Sequence, residues 1–210
     1  SFPTRRFSDL IPVTETAMMC RSKRATYKKL NKIIPIPKTY KSVDEVKKYP
    51  IFIKPDRGQG SVGARIIDKR EQFEQVDFKS NIAMEYLPGR EYTIDCFTNA
   101  NGKLIYARGR GRNRIKNGIS VNAVFDDRPE FYEYAIKINK VIKQMGGWFF
   151  QLREAEDGTL KLLEVAARIA GASAISRNIG ANLPLMTIDL FNGVEIDDIR
   201  LNNYEIELDR

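Results

Sequence analysis

Two blocks of alternating character, Trp148-Phe149-Phe150-Gln151 and Leu162-Leu163-Glu164-Val165-Ala166-Ala167-Arg168, flank the turn signal Glu156-Asp157-Gly158. Such a stretch is best satisfied by an antiparallel hairpin, because the Asp-Gly pair suits a tight turn and extended side chains alternate between two faces. The pairing predicts Gln151 close to Glu164, with Glu164, Ala166 and Arg168 sharing one face and Leu163 and Val165 pointing into a core. An amide oxygen, a carboxylate and an arginine then make a hard-cation site with a positive charge beside it. With no sulfur or imidazole nearby, the donor set suits magnesium, which leans on water and phosphates for its remaining ligands. A plain surface ion pair between Glu164 and Arg168 is the other reading of the same residues.

The 210 residues contain no histidine. That removes Ser-His-Asp and Cys-His catalysis, His-ligated zinc and histidine proton shuttles together. Any chemistry must run on carboxylates, lysines, arginines and a metal. Cys20 and Cys96 are too few for a disulfide framework and lack metal-ligand spacing, which fits a reducing compartment. An excess of 35 basic over 27 acidic residues gives a net charge of +8, directing attention to anionic partners: nucleic acid, a nucleotide or an acidic metabolite. No apolar run approaches the ~20 residues that cross a bilayer, and no secretory pattern is present. A cytoplasmic location without a membrane partner is expected.

Residues 1–9 carry no periodicity and read as a non-native or disordered segment. The spacing of Tyr27, Leu30 and Ile33 predicts a helix over Arg21 to Lys32, within a lead-in region at 10–33. Ser42, with Glu45 three residues on, predicts a capped helix. From Ile51 to Tyr92 the order is strand, glycine loop, strand, helix, strand, which gives a small lobe over 34–86. Strands at Tyr92 to Phe97, Leu104 to Arg108 and Ile119 to Phe125 follow, with Asn101-Gly102 as a hairpin turn. A core stripe of Phe131, Tyr134, Ala135, Ile138, Val141, Ile142 and Met145, ended by Gly146-Gly147, predicts a helix. With the 148–168 hairpin these make a larger lobe over 87–200, and residues 201–210 read as the start of a truncated C-terminal segment. The fold class is α+β.

Three further patterns bear on chemistry. Lys54 closes a strand and precedes the glycine-rich turn Gly58 to Gly63, whose backbone donors could close over phosphates; it is neither a Walker A motif nor a dinucleotide fingerprint, since no helix follows. A mobile hairpin loop is the alternative. Met84 to Tyr92 starts as a buried strand and breaks at Pro88-Gly89, so its backbone can meet an adenine edge, with Glu91 placed for a ribose hydroxyl; two solvated glutamates would look alike. Arg108, Arg110, Arg112 and Arg114 alternate with smaller residues and, if extended, form a positive strip on one face. The strip reads as a cleft strand facing phosphates or an anionic substrate; an RNA-binding tract would show aromatic interleaving, which it lacks.

In this order, Lys23 in a helix, Lys54 before a glycine loop, Glu85 to Glu91, Gln151, Glu164 and Arg168 resemble the nucleotide-binding core of the ATP-grasp superfamily. The nearest branch is the carbamoyl phosphate synthetase large-subunit-like one, with its carboxylate-amine ligases, and the resemblance runs from about Cys20 to Gly193. It implies an ATP-grasp fold, two α+β lobes with the nucleotide between them, and ATP and Mg2+ as cofactors. It implies that Lys23 and Lys54 reach phosphates, that Gly58, Gly60 and Ser61 belong to a flexible lid, and that Glu85, Tyr86 and Leu87 read adenine while Glu91 holds ribose. Gln151 and Glu164 match the metal ligands, Arg168 the arginine that stabilises the transferred group, and Arg110, Arg112 and Lys116 the substrate side. The implied activity is ATP-dependent ligation of a small-molecule carboxylate, activated as an acyl phosphate, to an amine; a homodimer is compatible with it. The family's usual Glu-x-Asn-Pro-Arg reads Glu164-Val165-Ala166-Ala167-Arg168 here, so Ala166 replaces a common second-metal ligand, and the domain that usually precedes the core is missing. A non-catalytic ATP-binding module and, from charge alone, a basic nucleic-acid-binding domain are the competing expectations.

Overall fold

The computed structural model describes residues 14–58, 60–73, 76–116 and 119–209; the predicted segment 1–9 lies outside them. Two helices, α1 (Thr14–Arg21) and α2 (Lys23–Leu30), lead in. The helix predicted over Arg21 to Lys32 is α2, which begins two residues later because Ser22 sits in extended conformation and caps it by accepting from the Ala25 amide, as serine does when its oxygen replaces a missing intrahelical acceptor; α1 precedes it unpredicted.

The smaller sheet has the order β1 (Thr39–Tyr40), β4 (Asn81–Glu85), β2 (Ile51–Pro55), β3 (Arg65–Ile67), all antiparallel, with α3 (Arg70–Phe73) between β3 and β4. Ile51, Ile53, Ile67, Phe73 and Ala83 fill its core. The helix predicted at Ser42 is one 3-10 turn, Val43–Glu45, without a side-chain cap from Ser42. Glu45 instead accepts from the Lys41 amide at 2.8 Å, one residue before the N-cap, on a segment too short to propagate a helix.

The larger sheet runs β10 (Glu207–Asp209), β7 (Ile119–Asp126), β6 (Leu104–Lys116), β5 (Glu91–Thr98), β8 (Gly146–Glu154), β9 (Leu160–Ala166), again antiparallel throughout. Within the segment read as the start of a truncated C-terminal piece, Glu207–Asp209 forms the edge strand β10 against β7. Helix α4 (Pro129–Val141) lies on one face; α5 (Ala174–Asn178) and α6 (Leu183–Phe191) follow β9. The predicted stripe on α4 stops short, because the helix ends at Val141, and Met145, expected in the core, is exposed. Among the described residues no helix is long and apolar enough to cross a membrane.

Strand β5 shows how the sheet divides its faces. Its even residues, Tyr92, Ile94 and Cys96, pack with Trp148, Phe150, Phe131 and Ile138 under α4 and α2, each such aliphatic or aromatic burial stabilising by about 1.5–3 kcal/mol. Its odd residues change character along the strand: Glu91 and Thr93 line a cleft, Asp95 is a buried acid, and Phe97 joins the core beneath α5 and α6. The cleft and the second core therefore share one sheet face.

Close packing of α4 on β6 depends on Gly109, where a Cβ would come within 2.1 Å of the Phe131 ring. Gly109→Ala is therefore expected to destabilise by roughly 3 kcal/mol, the upper range for overpacking. The urea midpoint measures it; an unchanged midpoint would show that Phe131 can move aside.

A cleft between the two sheets

A cleft of about 460 Å3 opens between the smaller sheet and the odd face of the larger one. Of the residues singled out in the sequence, Lys23, Lys54, Gly58, Gly60, Ser61, Tyr86, Leu87, Glu91, Arg110, Arg112, Gln151, Glu164 and Arg168 all line it.

Glu85 does not. Its carboxylate accepts from the Lys161 ammonium at 2.6 Å and from the Lys38 amide at 2.7 Å, which corrects the expectation that its side chain reads a base. The cause is strand geometry: consecutive residues point to opposite faces, so placing Met84 in the cleft wall turns Glu85 away. Past the strand end, Tyr86 and Leu87 return to the wall.

The hairpin pairs Gln151 directly with Glu164. With its amide oriented to suit both neighbours, Gln151 donates to Glu164 Oε1 at 3.3 Å and accepts from Arg112. Strict alternation fails just beyond, where Leu152 pairs with Leu162 and leaves Leu163 as a bulge. Leu163, expected in the core, instead lines the cleft while Leu162 and Val165 are buried. A bulge frees one residue from the ladder, and here it frees the Leu163 carbonyl, which accepts from Lys54 Nζ at 2.9 Å and from the Tyr27 hydroxyl at 3.0 Å. Lys54 also donates to the Tyr27 oxygen at 3.0 Å. Tyr27 and Leu163 are thus site residues that the sequence reading missed. Tyr27 shows only helix-core spacing in the sequence, and a bulge leaves no mark in composition.

Lys54 is 7% exposed. Burial, reinforced by repulsion from Lys23 and only partly offset by Glu164 and Glu91, pulls its pKa down to about 7. Lys23 is lowered as well, by burial against the opposing pull of Glu164 and Asp56. Its ammonium donates to the Gly58 carbonyl at 3.2 Å, tying the helix start to the glycine loop, while Asp56 accepts from Ser22 Oγ at 2.9 Å and from the Arg24 amide at 2.8 Å. Positive φ at Gly60, Ser61 and Gly63 bends that loop over the cleft; Gln59 lies outside the described residues.

The arginine strip is real but largely matched by acids of the chain itself. Arg108 pairs with Asp127 at 2.7 Å, Arg110 with Asp95 at 2.8 Å, Arg112 with Glu91 at 3.1 Å, and Arg114 with Asp209. A register shift at Arg112 to Arg114 also ends the common face, so only Arg110 and Arg112 reach the cleft. Glu91 further meets Arg153 at 3.6 Å. Arg168 is exposed at the rim, its guanidinium 5.1 Å from the Phe149 ring centre. The Lys116 side chain lies outside the described part of the structure.

As a metal site, Gln151 and Glu164 offer oxygen donors only. Among the described residues no three acidic, cysteine or histidine side chains gather to form a cage. Two protein oxygens fit an ion that takes its other ligands from water and phosphate, as Mg2+ does, and they do not fit a cation needing an all-protein shell.

Comparison with known proteins bears on the same residues. Residues 77–209 match a sequence family described as ATP-grasp in the biosynthetic pathway with Ter operon, a segment that holds Glu85 to Glu91, Gln151, Glu164 and Arg168 but not Lys54 or its loop. A D-alanine–D-alanine ligase from Thermotoga petrophila is 27% identical over 137 residues, covering 60% of this chain and 40% of that protein. The chain thus spans about 40% of the length of the curated relatives it matches. Among solved structures, a biotin carboxylase from Campylobacter jejuni superposes with a TM-score of 0.80 at 16% identity, over 92% of this chain and 51% of its own. N5-carboxyaminoimidazole synthetase from Staphylococcus aureus, solved with ADP, gives 0.74 at 18% identity over 87% and 54%. At such identities the structures speak to fold alone.

Proposed function

The chain belongs to the ATP-grasp family, and on that premise we propose that it is the nucleotide-binding core of an ATP-dependent ligase that joins a small-molecule carboxylate to an amine. The observation that carries this reading is the pairing of Gln151 with Glu164 across the hairpin, beside a buried lysine held by the bulged Leu163 carbonyl. A bound Mg2+ would neutralise charge on the nucleotide phosphates. Gln151 and Glu164 would hold it, Lys54 and Lys23 would take phosphate oxygens, and the loop from Gly58 to Gly63 would exclude water.

In the reaction, a substrate carboxylate oxygen attacks the γ-phosphorus, the bond to the bridging oxygen breaks, and ADP leaves. The amine then attacks the acyl carbon, a C–N bond forms, phosphate departs, and the amine proton passes to solvent or phosphate. Arg168 and Arg112 would offset charge on the transferred group. The first step needs no base, because the carboxylate is already ionised. ADP release with MgATP and a panel of acids and amines tests the reading. Tight nucleotide binding without turnover across the whole panel would favour a non-catalytic ATP-binding module, the reading that Ala166 motivates. The arginine–carboxylate pairs argue against a nucleic-acid surface, since their charge is already compensated.

Phosphate binding favours the charged form of Lys54, whose pKa near 7 leaves it mostly neutral at pH 8. Binding MgADP at pH 8 is therefore expected to take up close to one proton, and affinity to fall about tenfold per pH unit above pH 7. Calorimetry in buffers of different ionisation enthalpy reads the proton directly; zero uptake would mean Lys54 is charged in the free protein.

A further inference from the structure

Among the cleft arginines, Arg110 is the most deeply buried, at 2% exposure. From β6 its Nε donates to Asp95 Oδ2 at 2.8 Å and its Nη2 approaches Asp95 Oδ1 at 3.4 Å. Asp95 is held in turn by the Ser176 hydroxyl of α5 at 3.4 Å, and Ser176 accepts from the Tyr106 hydroxyl at 3.1 Å. The guanidinium is therefore braced from behind. Its remaining nitrogen, Nη1, is buried and has no hydrogen-bond partner among the described residues. A buried guanidinium N–H left unpaired is costly, and it persists here in a residue that lines the cleft.

Register fixes where this group stands relative to the metal pair. Glu164 pairs with Gln151, Gln151 with Thr93, and Thr93 with Arg110, forming one row across four strands on a single sheet face. Arg110 is thus two strands from Gln151, roughly 10 Å along the backbone row. A carboxylate that attacks a metal-bound phosphate must sit beside Gln151, Glu164 and Arg112, so a group on Arg110 is a different one.

We propose that Arg110, braced by Asp95 and Ser176, is the anchor for a second, non-reacting carboxylate of the substrates, so that at least one of the two joined molecules is an amino acid or a dicarboxylic acid. Thr93, buried in the cleft wall and directly opposite Arg110 in the ladder, flanks the subsite. The inference rests on the ligase reading, whose nucleotide arm is tested separately below.

The experiment is ligand-observed NMR on protein saturated with MgADP, using succinate, glycine and L-alanine as probes and glycinamide and L-alaninamide as partners lacking the carboxylate. At least one acid is expected to bind, at least tenfold more tightly than any amide. Preference for succinate places the second carboxylate on the activated acid; preference for the amino acids places it on the amine. Arg110→Gln combined with Asp95→Asn removes both charges together, avoiding an unpaired buried acid, and is expected to weaken the bound acid at least tenfold while MgADP still binds. Arg110→Lys is expected to recover part of the loss. Equal binding of acids and amides, no acid binding, or full acid affinity in the double variant would overturn the subsite. Failure of MgADP itself to bind wild-type protein would instead overturn the nucleotide reading.

Discussion

Lys54→Met is expected to lower kcat/KM for MgATP about a thousandfold, roughly 4 kcal/mol of lost transition-state stabilisation, without lowering the unfolding temperature at neutral pH. Both halves follow from the lysine's surroundings. The ammonium is the buried cation nearest the Leu163 bulge, so phosphate oxygens would lose their most desolvated partner, and electrostatic contacts count most where water is excluded. Stability moves the other way. The unfolded chain keeps this proton up to its ordinary pKa of 10.5, while the folded chain releases it near 7. Between those values the unfolded state binds more protons, so the lysine's contribution to stability falls as pH drops from 10.5 to 7 and stays at its least favourable value below. Methionine removes that titration. The variant's advantage should therefore be largest below pH 7 and shrink toward pH 10.5, while the Tyr27 hydroxyl still serves the Leu163 carbonyl. Thermal unfolding of both proteins across pH checks the sign; a variant less stable than wild type at pH 6 would mean that Lys54 holds the lobes together rather than waiting for an anion.

Glu164→Ala should be the second large effect, lowering kcat about a hundredfold, or ~2.7 kcal/mol, and raising the Mg2+ concentration for half-maximal activity at least tenfold. Among the described residues Glu164 is the only carboxylate directly opposite Gln151, and Ala166, next on the same strand face, contributes no side-chain oxygen as a substitute ligand. The magnesium titration separates a lost ligand from general damage: a fall in kcat with unchanged metal dependence would assign Glu164 to charge balance around Lys54 and Lys23 instead.

The fold was legible where local chemistry and tertiary context agree. Asp157-Gly158 and Asn101-Gly102 specify their turns through glycines at positive φ, and the alternation around them carries the α+β, two-sheet organisation. It was illegible where one residue is left out of the ladder. The bulge at Leu163 reverses which leucine is buried, and nothing in Leu162-Leu163 tells the two apart. Met145 and the Ser42 helix failed for a related reason: the periodicity or the cap was present, but the helix ended early or ran only one turn.

Within the site, residues carrying a distinctive charge, such as Lys54, Glu164 and Arg168, could be picked out in advance. Their supports could not. Asp95, Arg153 and Tyr27 act through cross-strand and inter-element contacts that only the register reveals. The arginine strip shows the converse: four like charges in the sequence become four ion pairs once strands β5 and β10 and the acid at Asp127 are in place.

The most direct test of the central claim, that one divalent ion and a nucleotide are held between Lys54 and the Gln151–Glu164 pair, is a crystal structure with Mg2+ and a non-hydrolysable ATP analogue. The account predicts the ion about 2.0–2.1 Å from an oxygen of Glu164 and of Gln151, phosphates against Lys54, and the base beside Tyr86 and Leu87. A nucleotide bound outside the cleft, or an ion that touches neither Gln151 nor Glu164, would contradict it.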